Sequence, residues 1–118
     1  MHKIIRSGEI APTPGGTIRF EGEEHGSAIS FFHVNAETGK GADLHTHPYS
    51  ETWIVRAGTG HFMADGETIE ARQGDILVVS AGTIHGFKNT GSERLELICI
   101  HASPRIIQHD LPVTWPSK

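Results

Sequence analysis

The chain has 118 residues, the length of one ordinary domain, so we expect a single domain over residues 1–118. Its formal net charge of -4 argues against a nucleic-acid partner, and its apolar runs are too short for a membrane span. The first thirty residues lack a signal peptide's apolar stretch, and the single cysteine, Cys99, has no partner for an internal disulfide, so we expect a cytoplasmic protein.

Nine short segments rich in β-branched and aromatic residues alternate with glycines and prolines, and each is predicted to be a strand. In chain order they cover residues 17–21, 27–35, 43–47, 52–57, 61–64, 68–70, 75–79, 84–89 and 94–101. Asp65-Gly66 predicts a tight hairpin, and no window predicts a helix. Many short strands separated by turn residues are typical of an all-β sandwich or barrel.

The two ends of the chain differ from the middle. A short strand is predicted before the stiff segment 11–14, and Pro104, Pro112 and Pro116 are spaced along an apolar tail. Such arms either cross to a second subunit or wrap their own barrel, and the sequence leaves both open.

Two of the nine histidines, His45 and His47, alternate on a predicted strand. Their side chains therefore point to the same face. Glu51 has the same parity and follows Pro48, which interrupts the strand and allows the chain to bend back. Two imidazoles and a carboxylate form a ligand set that leaves open positions on a divalent first-row metal. A His-x-His pair alone is more often solvent-facing, so the prediction depends on the rest of the chain.

A third histidine, His85, follows a tight turn at the start of another predicted strand. Together, residues 39–58 and 74–89 resemble the paired signatures of the cupin superfamily. The matching positions are Gly39, His45, His47, Glu51 and Gly58 in the first signature, and Gly74, Gly82, His85 and Asn89 in the second. Ser80 stands where the family usually has proline, a departure that affects only a turn.

The resemblance implies a small single-domain cupin of the cupin 2 type, a double-stranded β-helix or jelly-roll β-barrel. It implies four metal ligands, His45, His47, Glu51 and His85, holding one divalent transition metal per chain, which could be Fe, Mn, Ni, Zn or Cu. Glu51 is also a candidate catalytic base. Strand parity predicts three pocket walls, Trp53, Val55 and Phe87.

Other polar residues have weaker assignments. His101 is predicted as a hydrogen-bonded histidine at the barrel edge, with contact to a metal ligand as the less favoured alternative. Tyr49 is predicted at the rim or in a subunit contact, with a pocket-gating hydroxyl as the less favoured alternative. Asn89 is predicted to tie a turn. Parity leaves His33 and His61 undecided between inside and outside.

These features predict a metal-dependent enzyme acting on a small oxygenated molecule, with an oxygenase ahead of an isomerase or lyase. A non-catalytic small-molecule-binding module is the alternative, and a barrel that the metal merely stabilises is a third hypothesis. Family resemblance and the apolar arms together predict a homodimer.

Overall fold

A computed structural model describes residues 1–112 of the chain. Within this range the chain forms ten strands and one 3₁₀ helix, Gly22–Glu24. The strands are β1 (Ile18–Phe20), β2 (Ser30–Ala36), β3 (Gly41–Thr46), β4 (Glu51–Ala57), β5 (Thr59–Ala64), β6 (Glu67–Arg72), β7 (Ile76–Val79), β8 (His85–Lys88), β9 (Leu95–His101) and β10 (His109–Asp110). Over these residues, no helix is long and apolar enough to cross a lipid bilayer.

The strands form two antiparallel sheets of five strands each. The first sheet has the order β1-β2-β9-β4-β7, and the second has the order β10-β3-β8-β5-β6. Their inner faces share one hydrophobic core, whose largest fully buried members are Trp53, Phe62, Leu95 and Leu97. This arrangement is the expected double-stranded β-helix.

Alternation along the two central strands of the first sheet explains how the core is filled. On β4, Trp53 and Val55 are buried while Ile54 between them is partly exposed. On β9, Leu97 and Cys99 are buried while Ile98 is partly exposed. Successive side chains of a strand point to opposite faces, so the same alternation that fills the core also aims Glu51, at the start of β4, inward.

The predicted hairpin at Asp65-Gly66 joins β5 to β6. Both residues have positive φ, 57° for Asp65 and 84° for Gly66, as a type I′ turn requires. At Gly58, between β4 and β5, φ is 83° and an added Cβ would lie 2.4 Å from the Arg94 carbonyl oxygen. The turn at Gly58 therefore admits only glycine.

All nine predicted strands are present, with ends shifted by a few residues. The prediction of a strand before residues 11–14 is wrong, because residues 1–10 contain only turns, bends and irregular backbone. No sequence pattern predicted β10, which pairs with β3 and so keeps this part of the tail on its own barrel. Pro116, predicted to be part of the tail, lies outside the described residues.

Candidate metal centre

The four side chains predicted as metal ligands come together between the two sheets. β3 and β8 of the second sheet carry His45 and His85, which are cross-strand partners. Glu51 begins β4 of the first sheet, and His47 follows the end of β3. All four residues are buried, and one ligand atom from each lies within 4.8 Å of the others. This cluster can hold a metal ion.

Backbone carbonyls fix the orientation of all three imidazoles. The Nδ1 atoms of His45, His47 and His85 donate to the carbonyls of Asp43, Ile107 and Thr83, at 2.6, 2.7 and 2.7 Å respectively. A carbonyl only accepts, so Nδ1 carries the hydrogen in each ring. In a neutral ring, Nε2 then carries a lone pair. This tautomer is the one that binds a metal through Nε2.

The Nε2 atoms of His85 and His47 face one carboxylate oxygen of Glu51. Nε2 of His85 lies 2.9 Å from Oε1 of Glu51, and Nε2 of His47 lies 3.2 Å from the same oxygen. The His47 contact is not aligned as a hydrogen bond, so among the described residues this buried nitrogen has no hydrogen-bond partner. Lone pairs that converge in a buried space need a cation or a proton between them. The donor set therefore fits a divalent metal.

The other carboxylate oxygen of Glu51 is held by side chains of the protein. Nε1 of Trp53 donates to Oε2 at 2.7 Å, and Nε2 of His101 lies 3.4 Å from it. Burial opposes the negative charge, but contacts with His101, His47 and His85 outweigh burial and hold the pKa of Glu51 well below its usual range. Glu51 is thus an anion with Oε1 directed at the imidazoles.

Two of the ligand histidines have shifted pKa values of opposite sign. Burial lowers the pKa of His45, and the hydrogen bond to the Asp43 carbonyl offsets this only in part. Burial also disfavours the charge on His47, but Glu51 and the Ile107 carbonyl outweigh it and raise the pKa of His47 above the ordinary value. His45 is therefore kept neutral, whereas His47 holds a proton more readily.

His101 lies deeper in the site than the favoured prediction of a barrel-edge position, and the half-buried Tyr49 contacts it. His101 is 1% exposed, and its Nδ1 lies 2.6 Å from the Tyr49 hydroxyl oxygen. The backbone N–H of Ile107 donates to the same hydroxyl oxygen at 3.1 Å. His101 therefore matches the less favoured alternative, contact with a candidate metal ligand. The parity of His101 with Cys99 was the signal that could have found it.

A cavity of about 180 Å³ opens beside the cluster. Its lining within the described residues includes Trp53 and Phe87 but not Val55, which packs in the core instead. Gln108, which no sequence pattern singled out, also lines it. The lining residues are Thr17, Phe32, Val34, Gly41, Ala42, His45, Glu51, Trp53, Phe87, Cys99, His101 and Gln108. The walls are mainly apolar, and the described lining contains no lysine or arginine.

The two histidines left undecided by parity lie away from the cluster. Nε2 of His33 pairs with Oε2 of Glu96 at 2.8 Å, and the His33 side chain is 41% exposed. Nδ1 of His61 lies 2.5 Å from the Thr90 hydroxyl oxygen at an exposed position. Neither belongs to the metal cluster.

Comparison with curated proteins identifies a relative of similar length. The chain is 26% identical over 110 residues to an oxalate-binding protein of Thermotoga maritima, a match that covers 82% of this chain and 91% of that protein.

Two solved structures share the fold but are longer. An oxalate decarboxylase from Lactobacillus farciminis, in complex with formate, superposes with a TM-score of 0.77 at 22% identity over 87% of this chain and 34% of that chain. A salicylate 1,2-dioxygenase from Pseudoaminobacter salicylatoxidans, bound to gentisate, superposes with a TM-score of 0.66 at 20% identity over 78% of this chain. The present chain spans 26% of the dioxygenase chain.

A sequence model for the cupin domain matches residues 32–101. This range is more than half of the chain and includes all four residues of the cluster. Together with the double-stranded β-helix, the match shows that the chain belongs to the cupin family.

Proposed function

We propose that this cupin binds one divalent transition metal per chain and acts as a metal-dependent enzyme on a small molecule that offers two oxygen atoms. The proposed ligands are His45, His47, Glu51 and His85. The observation that carries the proposal is that these four buried side chains each place one ligand atom within 4.8 Å of the others. Each imidazole is already oriented by a backbone carbonyl.

The protein's own groups have distinct tasks in this proposal. The histidines and Glu51 bind the metal, and the apolar walls at Trp53 and Phe87 exclude water from the ligand beside it. When bound, the metal supplies Lewis acidity toward a substrate oxygen, and Fe, Mn or Cu also supplies redox chemistry. Beyond these four protein ligands, a metal that prefers six would keep two positions for a bidentate substrate or for substrate plus dioxygen.

We assign Glu51 as a metal ligand rather than as a general base. A carboxylate whose pKa is held far below the working pH is a weak proton acceptor. Its Oε2 is also engaged by Trp53. The catalytic role predicted for Glu51 is therefore best taken as coordination.

Small carboxylates are the proposed substrate class. The similar proteins include an oxalate-binding protein, an oxalate decarboxylase and a dioxygenase that binds gentisate. With no cationic side chain in the described lining, binding of the carboxylate falls to the metal. Oxygenase chemistry ranks first, and isomerase or lyase chemistry ranks second.

The test begins with elemental analysis of the untagged protein beside His85→Ala. Near-stoichiometric metal that is lost in the variant supports the site, whereas no metal after reconstitution with several divalent ions overturns it. Oxygen consumption by the metal-loaded protein with gentisate or oxalate, with oxygen from O₂ found in the product, supports an oxygenase. Product formed without oxygen supports the lyase or isomerase.

A non-catalytic binding module is the second candidate, and the curated relative, an oxalate-binding protein, favours it. It predicts that oxalate raises the melting temperature of the metal-loaded protein and is recovered unchanged. If the metal raises the melting temperature but no ligand adds to it, the metal only stabilises the barrel.

We also propose a homodimer formed through the outer face of the first sheet. Ile76 and Val78 are 64% and 68% exposed on β7. Ile76 pairs with Ile54, which pairs with Ile98, so the apolar row continues across three strands. A twofold axis would set this patch against its own copy and remove it from water. Light scattering should give the dimer mass, with Ile76→Lys reducing it to the monomer.

We also propose a cytoplasmic location, which the free, buried thiol of Cys99 supports. Burial raises the pKa of this thiol well above the ordinary value, which makes it unreactive.

A further inference from the structure

The distances around the Tyr49 hydroxyl favour one set of hydrogen-bond directions. The backbone N–H of Ile107 donates to the hydroxyl oxygen, so that N–H uses one of the oxygen's lone pairs. The hydroxyl has a single hydrogen, and the nearest acceptor is Nδ1 of His101 at 2.6 Å. The Ile107 carbonyl, at 3.3 Å, is the poorer alternative. Tyr49 therefore donates to His101.

This direction sets the tautomer of His101. A neutral imidazole that accepts at Nδ1 carries its hydrogen on Nε2. That Nε2 lies 3.4 Å from Oε2 of Glu51, so its N–H is available to the oxygen that faces away from His85. His101 thus has the opposite tautomer to the three histidines of the cluster, whose Nδ1 atoms carry the hydrogen.

Oε2 of Glu51 is consequently contacted from two sides: the indole N–H of Trp53 donates to it at 2.7 Å, and Nε2 of His101 lies 3.4 Å from it. Oε1 instead faces the cluster histidines: Nε2 of His85 lies at hydrogen-bonding distance, 2.9 Å, and Nε2 of His47 lies 3.2 Å away. The two carboxylate oxygens of Glu51 therefore have different surroundings. Oε2 faces Trp53 and His101, and Oε1 faces the histidines of the candidate metal site.

We propose that His101 and Tyr49 are positioning residues that hold Glu51 as a one-oxygen metal ligand and so keep a coordination position free for substrate. The inference rests on the proposed metal site. Carboxylates bind cations through one oxygen or through both. Without the contact from His101, Trp53 alone would hold Oε2, and Glu51 could turn its second oxygen to the metal and take up a position that a bidentate substrate needs.

The placement of the pair supports positioning over simple packing. Glu51 and His101 are directly opposed on neighbouring strands β4 and β9. Both residues line the cavity beside the cluster, so a substitution at His101 alters the space in which substrate would lie. Ile107 joins the two parts of the site, because its carbonyl accepts from His47 and its N–H donates to Tyr49.

The experiment loads the full chain with Co²⁺ and records its visible absorption, whose intensity reports coordination number and geometry. We expect Tyr49→Phe and His101→Leu to change the spectrum and to weaken Co²⁺ binding by about 10- to 100-fold, the usual effect of losing an outer-shell partner of a metal ligand. His101→Gln restores a donor near the position of Nε2 and should return the wild-type spectrum.

His33→Gln is the control, because it alters another histidine–glutamate pair, with an N–O distance of 2.8 Å, that lies outside the cluster. It should leave the spectrum unchanged. Wild-type spectra in Tyr49→Phe and His101→Leu, with lowered melting temperature alone, would mean that the pair only packs. If His101→Leu fails to fold, Tyr49→Phe still decides. If the wild-type protein takes up no Co²⁺, both the proposed function and this inference are overturned. If it takes up Co²⁺ and the variants have unaltered spectra, only this inference is overturned.

Discussion

The indole Nε1 of Trp53 donates a 2.7 Å hydrogen bond to Oε2 of Glu51, two residues earlier on β4. Side chains two apart on a strand share a face, so the residue that fills the core also orients a candidate metal ligand. Trp53 is 1% exposed, which keeps this bond away from water.

Trp53→Phe tests this bond. The phenyl ring retains much of the packing but donates nothing to Oε2, so we expect metal affinity to fall by about 10- to 100-fold while the fold persists. Metal titration and circular dichroism measure the two effects. Metal affinity equal to wild type would show that the indole serves packing alone.

His85→Ala removes a proposed ligand from a site that is otherwise assembled. We expect metal binding to be lost at concentrations that saturate the wild type, while the antiparallel pairing of β8 with β3 and β5 keeps the barrel folded. His61→Ala is the control, because His61 contacts only Thr90 at an exposed position among the hydrogen bonds described. Unchanged affinity in His85→Ala would remove it from the ligand set.

Metal binding should depend on pH in a direction set by His47. The pKa of His47 is raised above its ordinary value, so the ring is increasingly protonated as pH falls through and below neutrality, and a metal must displace that proton. The pKa of His45 is lowered, so it competes only at lower pH. An indicator dye in weak buffer should register up to about one proton released per metal near pH 6 and fewer above pH 8.

A flat metal affinity between pH 6 and pH 8 would contradict this prediction. The comparison requires a metal that does not hydrolyse in the range, for which Mn²⁺ is suitable.

Asn89 carries a structural prediction. It is fully buried, and its Nδ2 donates to the carbonyls of Ala36 and Glu93 while its Oδ1 accepts from the N–H of Gly91. Asn89→Ala leaves these groups without their partner, so we expect unfolding free energy to fall by about 2–4 kcal/mol. Urea unfolding should show a lower midpoint with an unchanged slope.

The matched control for Asn89→Ala is Asn35→Ala, at an exposed position where the side chain accepts only from Arg94 among the described bonds. Its cost should stay below about 1 kcal/mol. Equal costs for the two variants would mean that burial of Asn89 adds nothing.

Local patterns predicted most of the fold because they act locally. Alternation identified the strands and placed Glu51 on the same face as Trp53, and the Asp65-Gly66 turn was visible because its backbone needs positive φ. β10 was missed because a two-residue strand has no periodicity of its own and exists only by pairing with β3.

The partner of His101 was missed for a related reason. Tyr49 lies in the loop between β3 and β4, where strand parity does not apply, so its parity relative to the ligands carried no information. Its contact with His101 is separated by 52 residues and depends on the register of β4 with β9. No local pattern encodes a register between distant strands.

The three cluster histidines are each oriented by a main-chain oxygen rather than by a side chain. Every residue type supplies a backbone carbonyl, so mutations at the three acceptor positions leave the acceptors in place. A metal site whose ligands are oriented in this way tolerates substitutions at the acceptor positions. The residues of the cavity wall can therefore change to accept other substrates while the metal ligands keep their orientation.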